Sequence, residues 1–182
     1  MRIEDLALAE MDETQRAVAE EAIAGRRGRI PAPLRAWLHS PELGRRAQKL
    51  GEFARYETSL PPALSELAIL VTARHWTSHV EWYAHKRDGL AAGIAPSVID
   101  AIAQRCDPEF TDPAAKLVHD YTRLLLASGR VPDDLHALAA ATLGTRGVVD
   151  LVGIIGYYGL VALTLNAFDI GLPDGETPEL EP

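Results

Sequence analysis

Cysteine is nearly absent from this chain: Cys106 is the single thiol among 182 residues. One thiol excludes an intramolecular disulfide and any Cys-x-x-Cys redox pair, and it fits a reducing compartment. Positive charge is also scarce. Eighteen lysines and arginines face 26 acids, giving a formal net charge of -8 and a pI near 5.2. That balance argues against nucleic acid as a partner, because phosphate binding needs a basic surface. The basic residues do bunch at Arg26-Arg27-Gly28-Arg29, a run short enough to read as a solvated helix end. Sustained period-2 alternation is missing, which argues against a strand-built fold. An uninterrupted long apolar run is missing too. The stretch from Val148 to Ala167 is broken by Asp150, three glycines, two tyrosines and Asn166. It therefore reads as a buried helix, and no membrane partner is expected. The start, Met1-Arg2-Ile3-Glu4-Asp5, is acidic and does not read as a signal peptide. A cytoplasmic protein is the expectation.

What is present is a chain that is 47% apolar, with apolar residues recurring at spacings of three and four. This predicts an all-α protein, with residues 1–182 forming a single domain. Helix signals recur along it. The first helix is expected from Glu13 to about Ala24, followed by a Gly/Pro connector and a short turn from Leu34 to Leu38. Ser40-Pro41-Glu42 opens a helix to about Arg55, and Pro62 opens the next. Ser78 and Glu81 form a Ser-x-x-Glu pattern that opens a helix continuing to Ala92. Ala95-Pro96-Ser97 starts another, and Thr111-Asp112-Pro113 starts one ending near Ser128. Val131-Pro132-Asp133 starts a helix ending near Gly144, and the last helix spans Arg146 to Ala167. The tail, 172–182, carries three prolines and no periodicity, and is expected to be loose or to lie on a neighbour.

Ionisable groups crowd one segment: Arg74, His75, His79, Glu81, His85, Lys86 and Arg87. Glu81 and His85 are four apart, so they share a helix face, and Ser78 lies seven before His85 on that face. A carboxylate beside an imidazole above a helix N-terminus can be a tuned acid/base pair that also favours an anion. Three plainer readings stand beside this one. Ser78 and Glu81 can be no more than a capping box. Glu81 and His85 can be a solvent-facing pair. Trp76 and Trp82 can be packing residues. The arrangement is not the His-Glu-x-x-His of zinc proteases, so no metal is expected.

The residues resemble a known family. Glu66-Leu67-Ala68-Ile69-Leu70, then Ser78-His79-Val80-Glu81-Trp82-Tyr83-Ala84-His85, then Ala91-Ala92-Gly93-Ile94 look like the carboxymuconolactone decarboxylase family. Ser40-Pro41-Glu42-Leu43 resembles its upstream element, and Val149-Asp150-Leu151 through Leu165-Asn166-Ala167 its closing helix. The likeness spans about 30–170. It implies the alkylhydroperoxidase D-like helical bundle, assembled as trimers or hexamers. The related peroxide reductases carry two cysteines where this chain has Ser78 and Glu81, while the equivalents of Glu66 and His85 are kept. Dithiol chemistry needs both thiols, so the peroxidase branch lends fold and not activity.

The decarboxylase branch implies a cofactor-free lyase, of the kind used in the catabolism of aromatic compounds, acting on a small anionic lactone. By that resemblance His85 delivers the proton, and Glu81 and Glu66 orient or tune it. Arg74, His75, His79 and Ser78 are candidates for holding a carboxylate or oxyanion, and Trp82 for walling the pocket. The longer N-terminal region and His75-Trp76-Thr77 point to a divergent branch using some other small lactone or carbonyl compound. The alternatives are an alkylhydroperoxidase-like redox protein, disfavoured without the thiol pair, and a non-catalytic oligomeric binding protein.

Overall fold

In the computed structural model, which describes residues 1–181, there are eight helices and no strand. The last residue of the expected tail, Pro182, lies outside the described residues. The helices are α1 (Glu13–Ala24), α2 (Ala32–Trp37), α3 (Pro41–Tyr56), α4 (Pro62–His75), α5 (His79–Ala91), α6 (Pro96–Ala103), α7 (Pro113–Ser128) and α8 (Asp133–Ala167). The prolines at the starts of α3, α4, α6 and α7 act as the sequence suggests, since a first-turn residue needs no N–H partner. Asp112 caps α7 through Ala114 N (2.9 Å), and Gly129 ends it in the left-handed conformation.

α4 is the axis of the bundle. Leu64, Leu67, Ala68, Ile69, Leu70, Val71 and Ala73 are all buried, so the helix is apolar around most of its girth. Such a helix must be covered on every side, and α5, α6, α7 and α8 pack against it. α8 is the longest element. The separate helices expected either side of Gly144 are here one rod with a break, at a glycine of φ 72°, ψ 165°. The apolar part of α8 is long enough to cross a membrane by length and composition, but 67% of that window is buried inside the protein. Its one carboxylate, Asp150, accepts from both the backbone N–H and hydroxyl of Ser59 (each 2.7 Å). That satisfies a charge which an apolar surrounding would otherwise expel.

The C-terminal tail is not loose. Tyr83 Oη donates to Glu176 (3.0 Å), Lys86 pairs with Glu179, Arg74 donates to the Glu181 carbonyl (2.8 Å), and Leu180 is buried. The segment that carries prolines instead of periodicity is thus strapped over α5 by side chains of α4 and α5.

One glycine in α3 is set by a close approach. A methyl group at Gly51 would overlap the hydroxyl and ring of Tyr157 on α8, and that ring is buried. Gly51→Ala is expected to lower stability by roughly 1–3 kcal/mol, the usual cost of overpacking, seen as a lower urea midpoint. Alanine is otherwise the better helix former, so an unchanged midpoint would show that the ring yields freely.

Candidate active site

Four helices bring polar side chains to one buried place. Glu66 sits in the first half of α4, with its side chain inward. His85 stands in the middle of α5, which crosses α4, and is 4% exposed. Its Nδ1 lies 2.7 Å from Glu66 Oε2. Its Nε2 lies 3.5 Å from a guanidinium nitrogen of Arg55, near the end of α3. With the proton on Nδ1, the ring donates to Glu66 and presents its Nε2 lone pair to Arg55. That tautomer pairs a donor with an acceptor at both contacts. The Tyr158 ring of α8 packs edge-on against the imidazole at 4.9 Å, with Tyr157 edge-on to Tyr158 at 5.1 Å.

Arg55 organises the charge. It is ion-paired with Asp88, one turn beyond His85 on α5. Burial works against its charge, but Tyr158, Tyr56, Glu66 and Asp88 outweigh this and raise its affinity for the proton further. Burial likewise opposes the charge of Asp88, yet Arg87 and Arg55 hold that carboxyl below its usual range. Glu66, His85 and Asp88 place three ligand-type atoms within 4.8 Å of one another. The Arg55 guanidinium already brings positive charge to this trio, so a divalent ion would have to displace it.

Glu81 is 4% exposed, and its Oε2 has no hydrogen-bond partner among the described residues. Burial drives its pKa well above the ordinary range; Arg27 and Arg55 resist this and Glu66 adds to it. Burial thus favours the protonated form of Glu81. The Tyr158 hydroxyl is also buried without a partner, and burial raises its pKa despite Arg55.

The residues expected from the sequence divide between four places. Glu66, Glu81 and His85 belong to this cluster. The capping box does not form: Ser78 is the N-cap of α5, but its side chain makes no capping bond, and its buried Oγ has no partner among the described residues. The solvent-facing reading of Glu81 and His85 fails as well, since both are buried and the partner of His85 is Glu66. Ser78 and His79 instead line a separate hollow of about 370 Å³ beneath the tail, with Leu165, Asn166, Asp169 and Glu176.

Arg74 is committed elsewhere. It donates to the Ala103 carbonyl (2.8 Å), the Thr77 hydroxyl (3.0 Å) and the Glu181 carbonyl. Thr77 is in the left-handed region at φ 47°, unusual for a β-branched residue, and Arg74 and Arg105 hold its hydroxyl there. Arg74 thus fixes the α4–α5 corner and is not placed to hold a carboxylate at His85. His75 packs edge-on to Trp76, and burial and then Arg105 push its pKa down. Trp82 is wholly buried in the core. Arg55, Asp88, Tyr157 and Tyr158 were missed. The available signals were a glycine inside α3 and a tyrosine pair in an aliphatic helix.

A carboxyl with a raised folded pKa holds a proton that the unfolded chain releases above about pH 4.5. The stability tied to that proton is complete below this value and falls as pH rises toward the folded pKa. Between pH 4.5 and neutrality, wild type is expected to lose stability relative to Glu81→Gln, measured as urea midpoints across pH. Parallel curves would mean that Glu81 ionises normally.

No family model matches the chain, and no curated protein matches it.

Proposed function

We propose that the protein is a cofactor-free lyase of the carboxymuconolactone decarboxylase type, acting on a small carboxylated lactone or related carbonyl compound. The observation that carries this reading is the buried Glu66–His85 hydrogen bond, with a guanidinium on the far nitrogen of the ring. Arg55, and not Arg74, stands at His85 and is the group to hold the substrate carboxylate that stays, its fork exchanging Asp88 for that anion. The bond to the departing carboxylate carbon breaks, and its electron pair delocalises through the ring unsaturation onto the lactone carbonyl oxygen. Carbon dioxide leaves, and a proton is added to the carbanionic carbon. His85 delivers that proton after taking one up, with Glu66 balancing the charge of the imidazolium. Glu81, one turn before His85 on α5, is a second carboxyl near the pair. The substrate is its own electron sink, so the reading calls for no cofactor.

Ser78 and Glu81 stand where the peroxidase branch has its thiols, and Cys106 is exposed on the loop after α6. Neither arrangement supplies a dithiol, so the redox reading has no support from the side chains. Assembly of copies through the outer face of α8 belongs to the proposal. Val149, Val152 and Leu163 are exposed there, beside Gly153 and Gly156. A cytoplasmic location goes with it.

The test follows carbon dioxide release and ultraviolet loss of a carboxylated unsaturated lactone. His85→Ala is expected to cut kcat by about 10²–10⁴, the usual worth of a positioned acid/base. Arg55→Gln is expected to raise KM, as loss of ground-state binding does. Equal rates in wild type and His85→Ala would remove His85 from the chemistry.

A further inference from the structure

The α1–α3 side of the molecule carries a groove of about 520 Å³ that the chemistry above does not use. Four cations line it, Arg26, Arg27, Arg45 and Lys49, against two acids, Glu21 and Glu52. Arg45 is spent on Glu21 (3.1 Å) and Glu42 (2.8 Å). Arg26, Arg27 and Lys49 have no carboxylate partner within 4.0 Å among the described residues. Three cations without an ion pair, against one unpaired acid, Glu52, leave the hollow net positive, out of keeping with a chain of net charge -8.

Two of these cations are held in place without being neutralised. Half-buried Arg27 donates to the Gly51 carbonyl (3.2 Å) and to Gln48 Oε1 (3.4 Å). Arg26 lies over the Tyr56 ring, 4.4 Å from its centre. Both guanidinium groups are thereby positioned before any ligand arrives, which lowers the entropy lost on binding. The rest of the lining includes Val18, Ala22 and the Tyr56 ring. An inorganic anion has no use for that apolar part, whereas the body of an organic acid does.

We propose that this groove binds a small organic dicarboxylate with a flat apolar body, its charged ends on Arg26, Arg27 and Lys49. Arg27 is also the inner wall. Its charge bears on Tyr157, which stacks edge-on with Tyr158, and Tyr158 with His85. As a binding site the groove does not rest on the lyase reading.

Calorimetric titration of the full chain with phthalate, and separately with inorganic phosphate, tests this. Wild type and His85→Ala are expected to bind phthalate alike, with affinity falling as salt rises. The double variant Arg26→Gln/Lys49→Gln, two exposed positions, is expected to bind at least about tenfold more weakly, as loss of charge-assisted bonds implies. Phosphate is expected to bind more weakly than phthalate. Absence of phthalate binding, or equal binding by wild type and the double variant, would overturn the site. Phosphate binding as tightly as phthalate would overturn the organic-acid assignment. Loss of binding in His85→Ala alone would place the ligand in the catalytic cluster and overturn the groove, leaving the lyase reading intact.

Discussion

The hydrogen bond from His85 to Glu66 is the constraint around which the polar interior is arranged. It joins α4 to α5 with the imidazole buried and the carboxylate nearly so. A carboxylate there needs a counter-charge and donors, because isolated burial costs several kcal/mol. The imidazole supplies one donor, and Arg55 supplies the charge from α3. Asp88 then balances Arg55, and the tyrosines of α8 close the side away from solvent. Glu81 lies near this balanced set with its Oε2 outside the pairings, and burial raises its pKa. Burial thus pushes Glu81 toward the protonated form on the same helix as His85, which is the kind of tuning that acid–base chemistry draws on.

Supporting parts follow from holding that geometry. α4 carries Glu66 on a helix buried on nearly all sides, so the carboxylate has little freedom to drift. Arg74 and Arg105 fix the left-handed Thr77 at the corner, which sets the direction in which α5 leaves α4. Gly51 lets α3 approach α8 closely enough for Tyr157 to fit against it. The tail, strapped to Tyr83, Lys86 and Arg74, covers the outer side of α5.

Helix positions were readable because they depend on local chemistry. Proline in a first turn, Asp112 as a cap and Gly129 as a stop act through neighbours in sequence, and the structure has them where the pattern puts them. The Ser-x-x-Glu pattern at Ser78 failed for a tertiary reason: Glu81 is drawn into the core instead of turning back over the helix start. The same pattern does form at α1, where Asp12 and Gln15 satisfy each other's N–H groups in solvent (2.8 and 2.9 Å). Glu81 and His85 were legible from their i,i+4 spacing, and Glu66 through a family resemblance. Arg55, Tyr157 and Tyr158 were not, because they reach the site from elements distant in the chain. Likewise, the Arg26–Arg29 bunch read as solvated, since its spacing carries no sign of the Tyr56 ring or Gly51 carbonyl.

The claim that bears the most weight is that His85 is held as the Nδ1–H tautomer by Glu66, leaving Nε2 available for proton transfer. Nitrogen-15 NMR of the histidine-labelled protein reads this directly. The account predicts that the neutral His85 ring carries its proton on Nδ1, and that Glu66→Gln weakens this preference. A ring protonated on Nε2, or ring shifts indifferent to Glu66→Gln, would contradict it.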